Sequence, residues 1–458
     1  MPKNKKSEKE LKHRARRISI KEGIFAIVKS AFGDYYLSPF AIAINASNSL
    51  VAMLSSFSGL LGPISQMFSS RLIEKYPRKK IVTKFVFFDA LMFLSFITIA
   101  ILFYFGILKE ILTFLFLFLF CIYVIILNIS GPAWFSWMGD IVDEKYRGRW
   151  FAKRNLITGF TLVVLTISAA IFLDYFTKKD WLMQGFIILF FIALCGRLNS
   201  WRLFKKQYEP KIKLKKGYYF SFSEFLLKAT KNNFGKFSIY KAFLSFATYV
   251  SSPLVIIYLL RHLEFNYKTY MIITFAGTLF SLMFLRIWGK LADKYGNYRI
   301  LSITSILIPI IPILWVLHRS PIYLILVPSM ISGIAWSGFN LCAGNFIYDN
   351  VNSQKRGVAI SYYNMLNGIG IFLGAGLGAI LIKYLEFSFI EPLIFIFILG
   401  GILRMIVVFI MIPTIKEIRK KEKFDSSRAL KNLVLKEAKQ SLIEETHEII
   451  SIKEYLKE

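Results

Sequence analysis

Carboxylates, histidines and cysteines are what this chain has least of. Against 58 lysines and arginines it carries 28 aspartates and glutamates, a formal net charge of +30, with four histidines and three cysteines in 458 residues. Cys121, Cys195 and Cys342 all fall inside apolar runs, which makes them buried, inert thiols rather than disulfide partners. His13, His262, His318 and His447 are scattered along the chain and suggest no metal site. The sequence has no Gly-x-x-x-x-Gly-Lys phosphate loop, no Ser/His/Asp cluster and no paired Cys motif. Nothing in it therefore proposes covalent chemistry, a cofactor or an enzyme. The basic N-terminus runs into a long apolar stretch with no small-residue cleavage pattern, so no cleavable signal peptide is expected.

What the chain has in abundance is apolar side chains: 55% of residues are hydrophobic and 17% aromatic, and the mean hydropathy is +0.53. Runs long enough to cross about 30 Å of hydrocarbon recur from end to end. Twelve are expected, near residues 22–46, 48–71, 81–106, 110–138, 151–175, 183–204, 240–261, 267–289, 299–318, 321–348, 357–384 and 388–413. They must be helices, because hydrocarbon offers no partner to an open backbone group, and the strand-length alternation of a barrel is absent. The fold class is an all-α polytopic membrane protein.

The positive charge sits in blocks. Lys and Arg crowd the first 21 residues, the turns after every second span and the segment after residue 413, while the intervening turns are short and nearly balanced. This alternation follows the positive-inside rule with both termini in the cytoplasm. It assigns the charge to anionic lipid at the basic loops rather than to nucleic acid. The chain divides into a basic segment (1–21), six spans (22–204), a basic aromatic connector (205–239), six more spans (240–413) and a charged tail (414–458). Ser221 or Ser223 is expected to cap a short amphipathic helix through Leu227 and Ala229, and the spacing of Leu430, Leu433, Leu435, Ala438 and Leu442 predicts a helix in the tail.

Three local patterns occur twice, in the same order. Gly289-Lys290-Leu291-Ala292-Asp293-Lys294-Tyr295-Gly296-Asn297-Tyr298-Arg299 is echoed by Ser70-Arg71-Leu72-Ile73-Glu74-Lys75-Tyr76-Pro77-Arg78-Lys79-Lys80. Arg147, Gly148, Asn155 and Gly159 recur at identical intervals as Arg356, Gly357, Asn364 and Gly368, each set preceded seven residues earlier by an acid, Asp140 or Asp349. Ile129-Ser130-Gly131-Pro132-Ala133-Trp134 is matched by Ile331-Ser332-Gly333-Ile334-Ala335-Trp336. Two related halves follow.

With these loops, six spans, a basic connector and six more spans resemble the major facilitator superfamily between about residues 20 and 415. The run from Gly289 to Leu301 resembles that superfamily's signature between the second and third helices of a half. The first copy departs from it at Ser70, Glu74 and Pro77. The resemblance implies two six-helix bundles in the plasma membrane that work by alternating access, with a monomer as the working unit. It also implies a cytoplasmic gate in which Glu74 faces the start of the eleventh helix near Gly357 and Asp293 the start of the fifth near Gly148. Glu74, Arg78, Asp140 and Arg147 form the first-half set, and Asp293, Arg299, Asp349 and Arg356 the second. A carboxylate at a helix N-terminus is favoured by up to about 1 kcal/mol or so.

Ionisable groups deep in a membrane are expensive and face a cavity or a partner. Asp34, mid-way in the first span and followed by Tyr35, Tyr36 and Pro39, is the leading candidate for proton coupling or for a cationic group of a substrate; a pair with Lys29 is the alternative. Asp89 reads as one member of a structural ion pair, and Arg197 and Arg404 as snorkelling residues. Helices that line the cavity by resemblance carry Tyr36, Asn128, Trp134, Tyr249, Trp336 and Asn340, whose amide, phenol and indole groups suit a polar solute. Trp137 reads either as solute-facing or as part of the interfacial belt. Small faces at Ser55, Gly59, Gly62 and Gln66, and at Gly370, Gly374 and Gly378, allow close helix approach. The expectation is a secondary transporter of a small organic solute, coupled to protons; a non-transporting receptor or scaffold on the same fold is the alternative. The charge pattern predicts that green fluorescent protein fused after Ile418 fluoresces while alkaline phosphatase fused there is inactive. The reverse result would invert the topology.

Overall fold

The computed structural model describes residues 8–142, 147–210, 221–352, 356–386 and 390–418. The helix expected in the tail lies outside them. Among the described residues eleven helices are long and apolar enough to cross a membrane.

The first expected span is not one helix. α1 (Glu8–Phe32) stops at Gly33, a 3-10 turn covers Asp34–Tyr36, and α2 (Leu37–Ala43) completes the segment. Two features break it. Pro39 sits in the first turn of α2, where its missing N–H costs nothing. A Cβ at Gly33 would strike the Phe93 ring, so the close approach there admits only glycine.

The remaining first-half helices match the expected spans to within a few residues: α3 (Asn48–Lys75), α4 (Arg78–Tyr104), α5 (Lys109–Ile141), α6 (Arg147–Thr177) and α7 (Leu182–Lys206). α8 (Phe222–Ala229) is the short connector helix, and Ser221 Oγ accepts from the Glu224 N–H at its start, as the sequence suggests. α9 (Asn233–Ser251) continues through a 3-10 turn at Pro253, α10 (Val255–Ile257) and a wide turn at Tyr258–His262. α11 (Tyr267–Tyr295) follows. α12 (Asn297–Leu307) with α13 (Ile310–Leu317), and α14 (Pro321–Leu324) with α15 (Met330–Asn350), form two spans interrupted near Pro309 and Pro328. α16 (Arg356–Tyr384) and α17 (Pro392–Met411) close the series.

The chain forms two compact units, residues 1–217 with 253–271 and 371–385, and residues 218–252 with 272–370 and 386–458. In the first, Phe40, Phe96, Phe116, Phe186 and Phe190 are fully buried and meet edge-on or tilted at 5.1–6.1 Å. Such pairs add about 0.5–1.5 kcal/mol each beyond area burial. The aromatic surplus in the sequence is thus also core material. Outward rings such as Phe114, Phe118 and Phe160 are more than 60% exposed, a surface suited to lipid and not to water.

The small faces do what their spacing implies. On α3, Gly59 lies under Ile371 and Ser56 Oγ donates to the Phe372 carbonyl at 2.8 Å, both partners in the part of α16 that belongs to the first unit. In the second unit, a Cβ at Gly370 would overlap the carbonyl of Ala242 on α9. Replacing Gly370 by Val is therefore expected to cost about 1–3 kcal/mol of overpacking. Thermal unfolding in detergent measures it, with Gly131→Ala, which meets no atom within 4 Å, as the unaffected control.

Candidate functional site

The first unit holds a continuous chain of buried charges. Asp34 receives Lys29 Nζ at 2.9 Å and Ser30 Oγ at 2.9 Å, and the Tyr123 hydroxyl donates to it as well. Lys29, only 2% exposed, also donates to the Tyr123 oxygen at 2.6 Å and lies 3.4 Å from Asp89. Asp89 in turn binds Arg197 Nε at 2.5 Å. From Arg197 the path runs through Ser200, whose hydroxyl donates to Glu22 at 2.8 Å, to Arg154, 3.4 Å from Glu22 and stacked 4.6 Å above the Trp134 ring. Three carboxylates meet three cations, so the set is electrically balanced. The broken first span places Asp34 at one end of this chain. Asp34, at 26% exposure, is also its most accessible acid; Asp89 and Glu22 are nearly sealed.

A second arrangement occurs once in each unit. Arg78, the first residue of α4, binds Asp140 near the end of α5 at 2.6 Å, and the Lys79 N–H donates to Glu209 at 3.3 Å. Asn297, the first residue of α12, donates to Asp349 near the end of α15 at 2.8 Å, and the Tyr298 N–H donates to Glu417 at 2.8 Å. In both units a carboxylate after the last span caps the third, where the positive end of the helix dipole lies. Asp174 does the same elsewhere in the first unit: its oxygens accept from the Tyr267 and Lys268 N–H groups at the start of α11, at 2.8 and 2.9 Å. Shortly before α11, Arg261 donates to the Ala46 carbonyl at 2.5 Å and to the side chain of Asn48.

Residues 237–453 match the sequence profile of the Major Facilitator Superfamily. Solved structures share the fold at low identity. The nucleoside transporter NupG is 13% identical, with a TM-score of 0.64, covering 88% of this chain and 98% of its own. A bacterial homologue of the iron transporter ferroportin, in an inward-facing state, gives 14% and 0.62, covering 86% and 98%. A POT family transporter in complex with 5-aminolevulinic acid gives 14% and 0.64, covering 86% and 95%. The fold is that of the major facilitator superfamily. No curated protein matches the sequence. The partial family match and the shared fold are both with membrane transporters.

Within the major facilitator fold the expected site residues are dispersed. Trp134 joins the buried charge chain through Arg154. Asn128 accepts from Gln66 on α3 at 3.1 Å. Tyr36 is fully buried and its hydroxyl donates to the Thr166 carbonyl at 2.8 Å, a packing role in this structure. Tyr249 is half-buried. Trp336 is half-buried against Phe339, and Asn340 is exposed. Of the gate residues, Arg78 and Asp140 come together as described. Asp349 pairs with Asn297, Asp293 is exposed on the last turn of α11, and Arg299 is half-buried. The side chains of Glu74, Arg147 and Arg356 lie outside what the structure describes.

Three sequence expectations are corrected. Arg197 does not snorkel; it is 8% exposed and held by Asp89. Arg404 does not snorkel either. It is 3% exposed and donates to the Thr248 carbonyl at 3.1 Å and to Ser251 Oγ at 3.0 Å, at the break in α9. In both cases a partner inside the protein outcompetes the trip to the headgroups. Trp137 is fully buried, not interfacial, and donates to the Tyr208 carbonyl at 3.0 Å. Glu22, Tyr123, Arg154, Glu209 and Glu417 escaped sequence reasoning, because each lies at an expected boundary or looks unremarkable alone.

Removing one member of a buried ion set strands the others. Asp89→Asn is expected to cost about 3–5 kcal/mol, read as a lowered unfolding midpoint, and Asp89→Leu combined with Arg197→Met to recover part of it. Equal losses in the single and double variants would mean the pair contributes nothing specific.

Proposed function

We propose that this protein is a secondary transporter that moves a small organic solute by alternating access, driven by protons. It acts as a monomer in the plasma membrane, with its basic loops on anionic lipid. The observation that carries proton coupling is Asp34: a partly exposed carboxylate joined to a sealed, charge-balanced chain. A proton taken by Asp34 neutralises it and weakens its hold on Lys29, which shifts toward Asp89. The chain then carries one excess positive charge. A buried excess charge is costly, so protonation biases the equilibrium between conformations in which Asp34 faces different sides.

The gates follow from the helix ends. On the cytoplasmic side, Arg78 with Asp140 and Asn297 with Asp349 hold the two signature turns in shape. Glu74, Arg147, Asp293, Arg299 and Arg356 complete the proposed gate, whose contacts exist in only one of the two states. On the opposite side, Asp174 capping α11 and Arg261 on Ala46 and Asn48 hold residues 253–271 within the first unit. Charge-assisted bonds of this kind supply reversible locks of a few kcal/mol. Tyr36, Asn128, Trp134, Tyr249, Trp336 and Asn340 sit on the helices that line the solute path.

The test is uptake in proteoliposomes of solutes first found by thermal stabilisation of the purified protein. An inward proton gradient is expected to accelerate uptake, a protonophore to abolish the acceleration, and Asp34→Asn to lose gradient-driven uptake while keeping exchange between the two sides. Uptake indifferent to both the gradient and Asp34→Asn would remove protons from the mechanism. Absence of flux for every stabilising solute would leave a receptor or scaffold.

A further inference from the structure

Lys241 stands apart from the other charges buried in the protein. It lies in α9, eight residues beyond the helix start and so about 12 Å along its axis. Its ammonium is 4.9 Å from the centroid of the Phe339 ring and 5.2 Å from that of Trp336, both on α15. Among the described residues it has no carboxylate and no hydrogen-bond acceptor. Every cation in the charge chain of the first unit has an acid: Lys29 has Asp34 and Asp89, Arg197 has Asp89, Arg154 has Glu22. Arg404, which also lacks one, is satisfied by carbonyl and hydroxyl oxygens at the break after α9. Lys241 has only the faces of two rings, and cation–π attraction offsets a fraction of what removing an ammonium from water costs. Among the described residues this charge has neither an acid nor the hydrogen bonds that hold Arg404.

Its surroundings suit a solute. Lys241 is half-buried, so its ammonium is still reachable. One turn on, Ser245 donates to the Asn367 side chain at 2.5 Å, and a further turn on is Tyr249, half-buried. Residues four apart share a helix face, so Lys241, Ser245 and Tyr249 form one polar stripe next to an aromatic wall.

We propose that Lys241 is the anchor for an anionic group, a carboxylate or a phosphate monoester, on the transported solute, with Trp336 and Phe339 flanking it. The substrate class is therefore an organic anion. This rests on the transporter reading above and narrows it. The ammonium of Lys241 also disfavours a cationic group beside Trp336 and Phe339.

The experiment uses the full-length purified protein and matched probes at constant ionic strength: benzoate against benzamide, nicotinate against nicotinamide, lactate against lactamide, and glucose 6-phosphate against glucose, with inorganic phosphate alongside. At least one organic anion is expected to raise the unfolding midpoint where its neutral partner does not. A carboxylate and a phosphate response separate the two head groups, and a response to inorganic phosphate alone would mean a simple anion site and overturn the organic assignment. Lys241→Met is expected to weaken the apparent affinity for that anion at least about tenfold, and Lys241→Arg to retain it. Lys241→Met is also expected to raise the midpoint of the ligand-free protein, because it removes an uncompensated charge. A lowered midpoint would make the ammonium a structural tie and overturn the proposal. So would an anion response that persists in Lys241→Met, a neutral partner that stabilises equally, or a wild-type protein that no anion stabilises. Flux separates this from the transporter reading. A neutral solute carried equally by wild type and Lys241→Met keeps the transporter and removes the anion site, whereas an anion that binds through Lys241 but is never carried keeps the site and removes the transporter.

Discussion

Charge compensation in a low-dielectric interior is the constraint on which the first unit depends. Lys29, Asp89, Arg197 and Glu22 are almost sealed from solvent, and each would cost several kcal/mol alone. They are tolerable because α1, α4, α6 and α7 bring opposite charges within 2.5–3.4 Å. The same requirement aligns those helices, since a shift of one turn in any of them would strand a charge. An apolar core of Phe residues could be repacked with modest loss, but a partial ion chain could not. Position and proposed role therefore meet at Asp34. Its location at the break between α1 and α2 keeps it reachable, while its partners carry any change in its charge into the bundle.

Helix ends supply the second recurring device. Glu209, Glu417 and Asp174 all place a carboxylate on free N–H groups at the start of a helix, where the dipole favours negative charge. Arg78 with Asp140 and Asn297 with Asp349 occupy matching places at the start of a helix, an ion pair in one unit and a neutral–charged hydrogen bond in the other. Acids are scarce in this chain, and many of those it has are spent on helix N-termini or on buried cations. Arg404 has oxygens in place of an acid, whereas Lys241 lies against two aromatic rings, the feature on which the proposed anion site rests.

Much of this was legible in the sequence. The spans from α3 to α17 fell where hydropathy put them, because about 20 apolar residues in lipid have only the helix available. The cap at Ser221, the pairing of Asp89 and the alternative partner of Asp34 in Lys29 were also readable, since each depends on local spacing or on the cost of a lone charge. Small faces on α3 and α16 predicted close approach and found it at Gly59 and Gly370. The runs at Gly289 and Ser70 each fall on a short turn between two helices.

What composition and periodicity determined by themselves is the class of molecule: an all-helical protein with spans long and apolar enough to cross a membrane. These properties follow from the solvent, which acts on every residue in the same way wherever it sits in the fold. Only the tertiary structure decided which charges meet. Arg197 and Arg404 looked like snorkelling residues because their depth is visible in sequence and their partners, 108 and 153 residues away, are not. Glu22, Arg154 and Lys241 looked like boundary residues for the same reason. A pairing between distant helices depends on their rotation and register, which long-range packing sets, and so does the lack of an acid beside Lys241 among the described residues.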